Sequence, residues 1–591
     1  MLVLSVLSMQ VTRPLLFVSF RPSARGVDTS VPPAERWPAA VVWPLALWLA
    51  VPGNLPLWQR IAGMDGSLAH RMWLFAGFAL LLTGAIAALL SLLAWPRLFR
   101  PAASGLLLVA AFNTHFMWQY GVVIDPTMFA NVVQTDVREV RDLLSLSLLA
   151  TVLLVAALPL WWLWQHPLRA HGPWQRAARN TAGVLAGLAL ALLMALLSYQ
   201  DLASLMRNQK ALRYMANPLN TVYAATRLAA DQWPRQAHAL QPVGEDARLG
   251  ASYAQQPRPP LLVLVVGETA RADNFMLDGY ARPTTPALSR WQAQGELVNF
   301  SQVHSCGTNT QVSVPCLFSP LTRQQGGDQT AEHENLLDVL QRAGLAVLWL
   351  DNQSGCKGVC DRVPHASTLA LQVPGLCEDG ACFDDVMLQG LGERIAALEP
   401  QRRARGVVVV LHQMGSHGPA YFKRTPASHK PFQPECRSNT LSDCPAEQLI
   451  NAYDNTVAYT DHFLDQTLQW LQTQARSGRH DTGLIYLSDH GESLGENGLY
   501  LHGVPYSFAP EQQTHVPMVA WLSPGLRDRA GLSLDCLRGH AADPISHDHF
   551  FHSVLGLMDV HTQAYRPTLD ALAPCAAPHV QAVEVKPPSA G

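Results

Sequence analysis

The first 200 residues contain five apolar stretches, each about as long as a helix that spans a lipid bilayer. They lie near 39–58, 72–95, 103–123, 143–164 and 181–199. A membrane-spanning helix needs roughly 20 predominantly apolar residues, so the sequence predicts an α-helical membrane domain of five transmembrane helices over 37–200. Residues 1–36 lack a convincing cleavage site and are interpreted as a cytoplasmic N-terminal tail.

Basic residues between the apolar stretches indicate how the chain is oriented in the membrane. Arg97 and Arg100 lie between the second and third stretches, and three more arginines lie between the fourth and fifth, at 169, 176 and 179. Neither loop carries an acidic residue. Because short cytoplasmic loops are enriched in Lys and Arg, both loops are expected inside, and everything after residue 199 is expected outside the cytoplasm.

Cysteine is confined to the polar part of the chain. All ten cysteines lie at or after position 306. Even numbers of closely spaced cysteines favour disulfides, which persist in oxidising compartments. The alternative is a set of free or metal-binding thiols in a cytosolic domain. The closely spaced pairs are Cys306 and Cys316, Cys356 and Cys360, Cys377 and Cys382, and Cys436 and Cys444, with Cys536 and Cys575 left over.

A polar segment between the third and fourth apolar stretches has a helical pattern. It covers about 125–142 and is expected to lie as an interfacial helix on the outer membrane surface. Asn131, Thr135 and Glu139 recur every four residues, so on one helix they would share a face. From spacing alone, a solvated helix face is the simpler interpretation.

The rest of the chain has the pattern of an α/β domain. Residues 201–258 are interpreted as a bridging linker, and 259–591 as the catalytic domain. Short apolar runs alternate there with helical patterns, and runs with little polar alternation favour a parallel sheet covered on both faces. The predicted strands are 261–266, 345–350, 407–411, 484–487 and 516–522.

Polar residues of the metal-binding type follow several of these strands. Glu268 follows the first strand, His412 and His417 follow the third, and Asp489 and His490 follow the fourth. Open α/β sheets build their sites at the carboxyl ends of strands. Carboxylate oxygens and imidazole nitrogens are ligands for divalent metals, so the sequence predicts a metal site at this edge.

The segment 305–316 supplies hydroxyl groups near the predicted metal ligands. A helix is expected to begin near Thr310. The N–H groups at a helix N-terminus favour a bound phosphate, and metal coordination would activate the threonine hydroxyl as a nucleophile. The alternative is that Thr310 only caps the helix.

Five runs of residues together resemble the phosphoethanolamine transferases that act on lipid A and include the mobile colistin-resistance enzymes. The resemblance covers nearly the whole chain, and it implies a periplasmic α/β domain of alkaline-phosphatase/sulfatase-like fold behind a five-helix membrane domain. The runs are VVGETARADNF (265–275), SCGTNTQVSVPC (305–316), LHQMGSHGPAYF (411–422), INAYDNT (450–456) and SDHGESLGENGLYLHG (488–503).

The resemblance also implies roles for individual residues. Thr310 would be the nucleophile and a zinc ligand, and Thr308, two residues upstream, is its competitor. His417 and His502 would contact the phosphate of the substrate or hold a second zinc ion. The remaining implied zinc ligands are Glu268, Asp489 and His490. The implied substrate contacts are Ser354 and Lys357, with Asn131, Thr135 and Glu139 at the lipid headgroup.

The cysteine pairs of the family have counterparts in this sequence. The resemblance implies disulfides between Cys306 and Cys316, Cys377 and Cys382, and Cys436 and Cys444. A bond between Cys356 and Cys360 is the least supported of the four.

The implied reaction moves phosphoethanolamine from phosphatidylethanolamine to a lipid A phosphate through a phosphoethanolamine-threonine intermediate. The enzyme would be a zinc-dependent monomer of the bacterial inner membrane with its catalytic domain in the periplasm. It would contact membrane lipids and confer polymyxin resistance. One tightly bound zinc is expected, and a second remains open. The net charge of −3 gives no electrostatic basis for binding nucleic acid.

Four alternatives remain. The first is a hydrolase of the same superfamily, either a phosphatase or a sulfatase. A sulfatase would need a C/S-x-P-x-R signature, which the segment around Thr310 lacks. A glycerophosphate transferase of the same superfamily shares the threonine nucleophile and five spans but normally binds manganese. The acceptor could also be another part of lipopolysaccharide or a glycan. A non-catalytic sensor would not need the complete set of ligands.

Overall fold

The structure is a computed structural model that describes residues 37–64, 67–135, 137–166, 168–169, 172–208, 210–232, 240–326, 332–378 and 381–577. The predicted N-terminal tail over 1–36 lies outside the described residues. The chain divides into two compact units. The first contains residues up to 118, 124–134 and 146–228, and the second contains 119–123, 135–145 and 229 onward.

The first unit is helical. Four helical stretches are long and apolar enough to cross a membrane: Pro38–Ala62, Leu68–Leu92, Leu146–Gln165 and Pro173–Leu197. The helix Phe99–Tyr120, which carries Asn113, Thr114 and His115, is not among them. Four predicted spans are therefore confirmed, and the fifth stays a prediction. The remaining bounds are Pro38–Ala50 and Leu55–Ala62 within the first stretch, Pro126–Gln134, Leu146–Val152, a π-helical Leu153–Ala157, Leu158–Gln165, Tyr199–Asn208 and Leu219–Gln232.

Two glycines allow a close approach between the helices Leu68–Leu92 and Pro173–Leu197. A Cβ atom on Gly84 would lie 2.6 Å from the carbonyl oxygen of Gly187, and a Cβ on Gly187 would lie 2.5 Å from that of Gly84. In lipid there is no hydrophobic driving force between helices, so membrane helices associate through close packing. Small residues at a crossing allow the two backbones to come close enough for this packing. These glycines determine the packing distance of the helix pair.

A buried amide network ties the segment before the helix Leu219–Gln232 to the apolar helices. The Asn217 side chain donates to the carbonyl oxygens of Gly53 and Ala110, each at 2.8 Å. Its side-chain oxygen accepts from Asn113 at 3.0 Å, and its backbone N–H donates to Asn54 at 2.9 Å. Buried polar groups need such partners, so this network orients the segment that leads out of the first unit.

The predicted interfacial helix is not continuous. Two helices, Pro126–Gln134 and Val137–Leu143, cover this region, with Thr135 between them. The expectation that Asn131, Thr135 and Glu139 share one helix face is therefore wrong. β-Branched Thr is a weak former of helix interiors, which favours a break at Thr135.

The second unit is built on a seven-stranded sheet. Its strands are β1 Pro260–Gly267, β2 Leu297–Phe300, β3 Ala346–Asp351, β4 His365–Ser367, β5 Val407–His412, β6 Asp481–Ser488 and β7 Met518–Leu522. Their order in the sheet is β2-β7-β6-β1-β5-β3-β4. The predicted strands are present, but the sheet is mixed, since β7 is antiparallel to both β6 and β2. The sequence did not predict the strands β2 and β4.

Helices cover both faces of this sheet. Alternate strand residues such as Leu264, Val410 and Ile485 join one hydrophobic core with the helices Leu336–Ala343 and Phe550–Leu557. The long helix Ala446–Arg476 packs on the other face. Further helices are Ser252–Gln255, Pro286–Ala293, Thr310–Leu317, Arg323–Gly326, Leu391–Ala396, Pro400–Arg403, Pro524–Ala530 and Leu534–Gly539. Two-residue strands pair as Arg248–Leu249 with Val560–His561, Val303–His304 with Ile545–Ser546, Cys377–Glu378 with Ala381–Cys382, and Ser493–Leu494 with Tyr500–Leu501.

All ten cysteines form disulfides in the second unit. The bonds join the closely spaced pairs that the sequence indicated, including Cys356 and Cys360, and also the leftover pair Cys536 and Cys575. The pairs are Cys306–Cys316, Cys356–Cys360, Cys377–Cys382, Cys436–Cys444 and Cys536–Cys575.

Candidate active site

Two acidic residues meet because their strands are parallel neighbours. Ser488 at the end of β6 pairs in register with Gly267 at the end of β1. Asp489 and Glu268 follow these partners directly and are fully buried. The Asp489 carboxylate accepts the backbone N–H of Thr269 at 3.1 Å, so the register of the sheet brings both carboxylates to one point.

The helix Thr310–Leu317 presents the Thr310 hydroxyl to this point. Its N-cap is Asn309, whose side chain accepts the backbone N–H of Val312 at 3.1 Å. Thr310 is therefore not the cap. Its hydroxyl lies 3.2 and 3.3 Å from the two Glu268 carboxylate oxygens and 3.5 Å from His490 Nε2.

Thr308 has a different environment. Its hydroxyl donates to the carbonyl oxygen of Val504 at 2.7 Å. This buried hydrogen bond joins the 305–316 segment to the segment that carries His502. The geometry gives Thr308 a structural contact and puts Thr310 beside the carboxylates.

The three predicted ligands other than Thr310 form a compact donor set. One atom from each of Glu268, Asp489 and His490 lies within 4.8 Å of the others. His490 Nδ1 lies 2.9 Å from the carbonyl oxygen of Gly491, and donation from Nδ1 leaves the Nε2 lone pair for a metal. Asp489 Oδ2 is buried and has no hydrogen-bond partner among the described residues. These residues fit a divalent cation.

Burial perturbs the pKa of each of these groups. It raises the pKa of Glu268, with Asp489 as a further cause, and it raises the pKa of Asp489 to about 7. Burial also lowers the pKa of His490 to about 4. Two buried carboxylates repel each other and are poorly solvated. A divalent cation between them would offset both costs.

Two further groups in the second unit, both containing cysteines, have their side-chain atoms close enough together to hold a metal ion. They are Cys536 with His540 and Cys575, and Cys356 with Cys360 and Asp361. The cysteines of both groups are joined in disulfides. A disulfide sulfur is not a thiolate ligand, so of these three groups in the described part of the chain the Glu268 group is the one suited to a metal.

Two predicted histidines border the ligand group. The His502 ring lies 4.3 Å from the His490 ring and 5.6 Å from the His417 ring, between ring centres. His502 Nδ1 lies 3.2 Å from a carboxylate oxygen of Glu492, which fixes the orientation of its ring. Burial, followed by the nearby His502, lowers the pKa of His417 well below its usual value, so His417 is neutral at pH 7.

The predicted contacts Ser354 and Lys357 lie in the loop after β3. Lys357 Nζ donates to the Ser354 hydroxyl at 2.9 Å. Burial is the main cause of the lowered pKa of His417, and the positive charge of Lys357 is one of the smaller causes. Gln353, which the sequence did not single out, donates to the Glu268 carboxylate at 3.0 Å. The sequence signal that could have identified Gln353 is its position just after a predicted strand.

Two further histidines hydrogen-bond to residues that lie at the ends of the site's strands. His412 Nδ1 lies 3.0 Å from Asp351 Oδ2, and β5 and β3 pair these two residues in register. His547 Nε2 donates to the carbonyl oxygen of Ser488 at 3.0 Å, directly before Asp489. His547 precedes the helix Phe550–Leu557 and is far from any predicted strand end, so only the tertiary structure reveals it.

The structure brings together Glu268, Thr310, Asp489, His490, His417 and His502, with Ser354 and Lys357 beside them. Asn131 belongs to the first unit, whereas Thr135 and Glu139 belong to the second. A role of these three residues at a lipid headgroup stays a prediction.

Comparisons with known proteins identify the family. A family model described as "Phosphoethanolamine transferase EptA/EptB" matches residues 82–233, and a model described as "Sulfatase" matches 260–560. The chain is 40% identical over 537 residues to phosphoethanolamine transferase EptA of Escherichia coli K12, covering 90% of this chain and 95% of that protein. It is 37% identical to phosphatidylethanolamine transferase Mcr-1 of Escherichia coli, covering 82% and 89%.

A solved structure agrees with these relatives. The integral membrane protein lipooligosaccharide phosphoethanolamine transferase A of Neisseria meningitidis superposes with a TM-score of 0.85 at 33% identity, covering 92% of this chain and all of that one. The fold, the matched regions and the identity over most of the chain lead to one conclusion. The chain belongs to the phosphoethanolamine transferase family, as an inner-membrane protein with a periplasmic catalytic unit of alkaline-phosphatase/sulfatase-like fold.

Proposed function

We propose that this transferase moves phosphoethanolamine from phosphatidylethanolamine to a phosphate of lipid A, with Thr310 as the nucleophile. The observation that carries the proposal is the buried Thr310 hydroxyl, 3.2 Å from Glu268 and 3.5 Å from His490, at the first turn of a helix. That position combines a hydroxyl, metal ligands and helix N–H groups, which phosphoryl transfer requires. The relative Mcr-1, by its name, acts on phosphatidylethanolamine.

Glu268, Asp489 and His490, together with the Thr310 hydroxyl, would hold one zinc ion. A bound zinc ion lowers the pKa of a coordinated hydroxyl and stabilises charge on phosphate oxygens. Two atoms support this assignment: the buried Asp489 Oδ2, which lacks a hydrogen-bond partner among the described residues, and His490 Nε2, which lies 3.3 Å from it. His417 and His502 would accommodate a second zinc ion.

In the first step, the Thr310 oxygen attacks the phosphorus of phosphatidylethanolamine. A Thr310 O–P bond forms, and the bond from phosphorus to the diacylglycerol oxygen breaks. The Thr310 proton leaves, and the departing oxygen takes up a proton to give diacylglycerol. Phosphoethanolamine then remains attached to Thr310.

In the second step, a phosphate oxygen of lipid A attacks the same phosphorus. The Thr310 O–P bond breaks, and the Thr310 oxygen regains a proton. The covalent intermediate therefore lets one hydroxyl serve two substrates in turn. The product carries an added ammonium group beside its phosphates, so cationic polymyxins would bind the modified surface less well.

His417 and His502 would stabilise the equatorial oxygens of the transferring group. As neutral imidazoles they can donate one hydrogen bond and accept one proton. Ser354 and Lys357, which are hydrogen-bonded to each other in the loop after β3, would contact the same phosphate. Asn131, Thr135 and Glu139 are proposed to contact the headgroup of the lipid donor. We also propose that the helix Phe99–Tyr120 completes five spans and that the enzyme acts as a monomer.

Mass spectrometry of lipid A tests this function. A polymyxin-sensitive host that expresses the wild-type chain should gain one phosphoethanolamine mass on lipid A, and a host that expresses Thr310→Ala should not. The periplasmic level of both proteins is measured by immunoblot as the control. If lipid A stays unmodified while another lipopolysaccharide sugar or glycan gains the mass, the acceptor assignment is wrong.

A further inference from the structure

One arginine of the catalytic unit contacts the segment that carries His417. Arg424 Nε donates to the main-chain carbonyl oxygen of His417 at 2.8 Å. The Arg424 side chain is only 6% exposed. The backbone of the His417 segment therefore depends on how this guanidinium is held.

A carboxylate distant in sequence holds the other side of the guanidinium. Asp142 Oδ2 accepts from Arg424 Nη2 at 3.0 Å, and Asp142 is itself 10% exposed. Asp142 lies on the helix Val137–Leu143, within a short stretch, 135–145, that belongs to the catalytic unit although its sequence neighbours on both sides belong to the first unit. Asn439 fixes this helix further, because its side chain donates to the Asp142 carbonyl oxygen at 2.6 Å.

The geometry of arginine makes this arrangement a link between two elements. The guanidinium is planar and rigid, so a partner that fixes one nitrogen also fixes the direction of the others. Asp142 orients the plane through Nη2, and Nε then faces the His417 carbonyl oxygen. A buried charge-assisted hydrogen bond is stronger than a neutral one, which makes Asp142 suited to this role.

Lys423 offers an internal comparison. Its ammonium group also contacts the Asp142 carboxylate, at 2.6 Å, but its side chain is 47% exposed. Among the described residues, the Lys423 side chain hydrogen-bonds to Asp142, whereas Arg424 hydrogen-bonds to both Asp142 and His417. Removal of Lys423 therefore tests the charge beside Asp142 without the connection to His417.

We propose that Asp142 and Arg424 are positioning residues for His417, and that the helix Val137–Leu143 thereby controls the placement of this histidine. The proposal rests on the proposed function, in which His417 contacts the transferring phosphate. Glu139, a predicted headgroup contact, lies on the same short helix, three residues before Asp142. Two hydrogen bonds through Arg424 then connect the helix that would meet the lipid headgroup to the main chain of His417, whose ring would meet the phosphate.

Kinetics of the full-length enzyme in detergent micelles test the proposal, with phosphatidylethanolamine carrying a fluorescent headgroup label as the probe. Asp142→Asn and Arg424→Lys should each lower kcat by about tenfold to 100-fold, because a misplaced catalytic group has effects of that size. KM should change less than about twofold, since an interaction made mainly in the transition state affects kcat. The Lys423→Gln control should keep kcat within about twofold of wild type, the size expected when an exposed ion pair is lost.

Hydrogen exchange on the same proteins separates positioning from general damage. In Asp142→Asn, the backbone amides of 413–419 should exchange faster, and those of β1 and β6 should be unchanged. Full kcat in Asp142→Asn, unchanged exchange at 413–419, or an equal loss of kcat in Lys423→Gln would each overturn the proposal. If the wild-type chain transfers nothing from phosphatidylethanolamine, the proposed function fails, while the exchange experiment still decides whether Asp142 holds the His417 segment.

Discussion

The Thr310 hydroxyl lies 3.2 Å from the Glu268 carboxylate, and both residues are buried at the edge of the sheet where β1 ends. Thr308, two residues earlier, instead donates its hydroxyl to Val504. Thr310→Ala should therefore lower kcat by about a thousandfold or more, the effect of losing a nucleophile. Thr308→Ala should keep most of kcat but lose about 1 kcal/mol of unfolding free energy from one buried hydrogen bond. Single-turnover kinetics and thermal unfolding of the two variants check this pair, and the reverse pattern would make Thr308 the nucleophile.

Metal content should depend on Asp489. Asp489→Ala removes one buried ligand, so the zinc content of the purified protein should fall well below that of wild type. Chelation of wild type should lower Tm, because a ligand present at a thousand times its Kd stabilises the folded state by about 4 kcal/mol. Elemental analysis and thermal unfolding measure both effects. The control is Asp543→Ala, an exposed carboxylate of the same unit, which should retain full zinc content. Wild-type zinc content in Asp489→Ala would contradict the ligand assignment.

Stability should depend on pH through Asp278. Burial raises its pKa to about 6, although Asn299 donates a hydrogen bond to it. In the unfolded state the pKa of Asp278 is near 4, so the folded state binds this proton more tightly than the unfolded state does. The stability that Asp278 contributes through this proton is therefore fully present below about pH 4. It is lost as the pH rises through about 6. Asp278→Asn should therefore gain about 1 to 2 kcal/mol at pH 7.5 and gain nothing at pH 4. Denaturant unfolding at the two pH values checks this, and an equal change at both would exclude the titration of Asp278 as the cause.

Packing of the membrane helices should be sensitive at Gly187. An added Cβ would lie 2.5 Å from the Gly84 carbonyl oxygen, which belongs to a backbone that cannot move away easily. Gly187→Ala should lower unfolding free energy by about 1 to 3 kcal/mol, the usual size of an overpacking effect. The matched control is Gly105→Ala, since no described atom beyond its chain neighbours and the backbone of its own helix lies within 4 Å of a Cβ at that position. Thermal unfolding in detergent compares the two variants, and equal Tm values would show that the helices adjust.

Much of the site could be predicted because it follows local rules. Buried strands appear as apolar runs, and the residues directly after them, such as Glu268 and Asp489, lie at one edge of the sheet in any parallel arrangement. The antiparallel direction of β7 could not be predicted, since an apolar run such as 516–522 carries no information about its direction. The break at Thr135 was also missed, because a helical repeat continues through a residue that only weakly disfavours a helix.

The sequence by itself determined the apolar helices, the strands that carry the ligands and the family to which the chain belongs, since these depend on periodicity and on contiguous motifs. Only the tertiary structure decided that Asn309 rather than Thr310 caps the helix, that His547 supports the strand before Asp489, and that Asp142 reaches Arg424. The last two contacts join residues far apart in the chain, 59 positions for Ser488 and His547 and 282 for Asp142 and Arg424. Such pairs are set by how strands and helices pack in space, and a one-dimensional pattern does not record that packing.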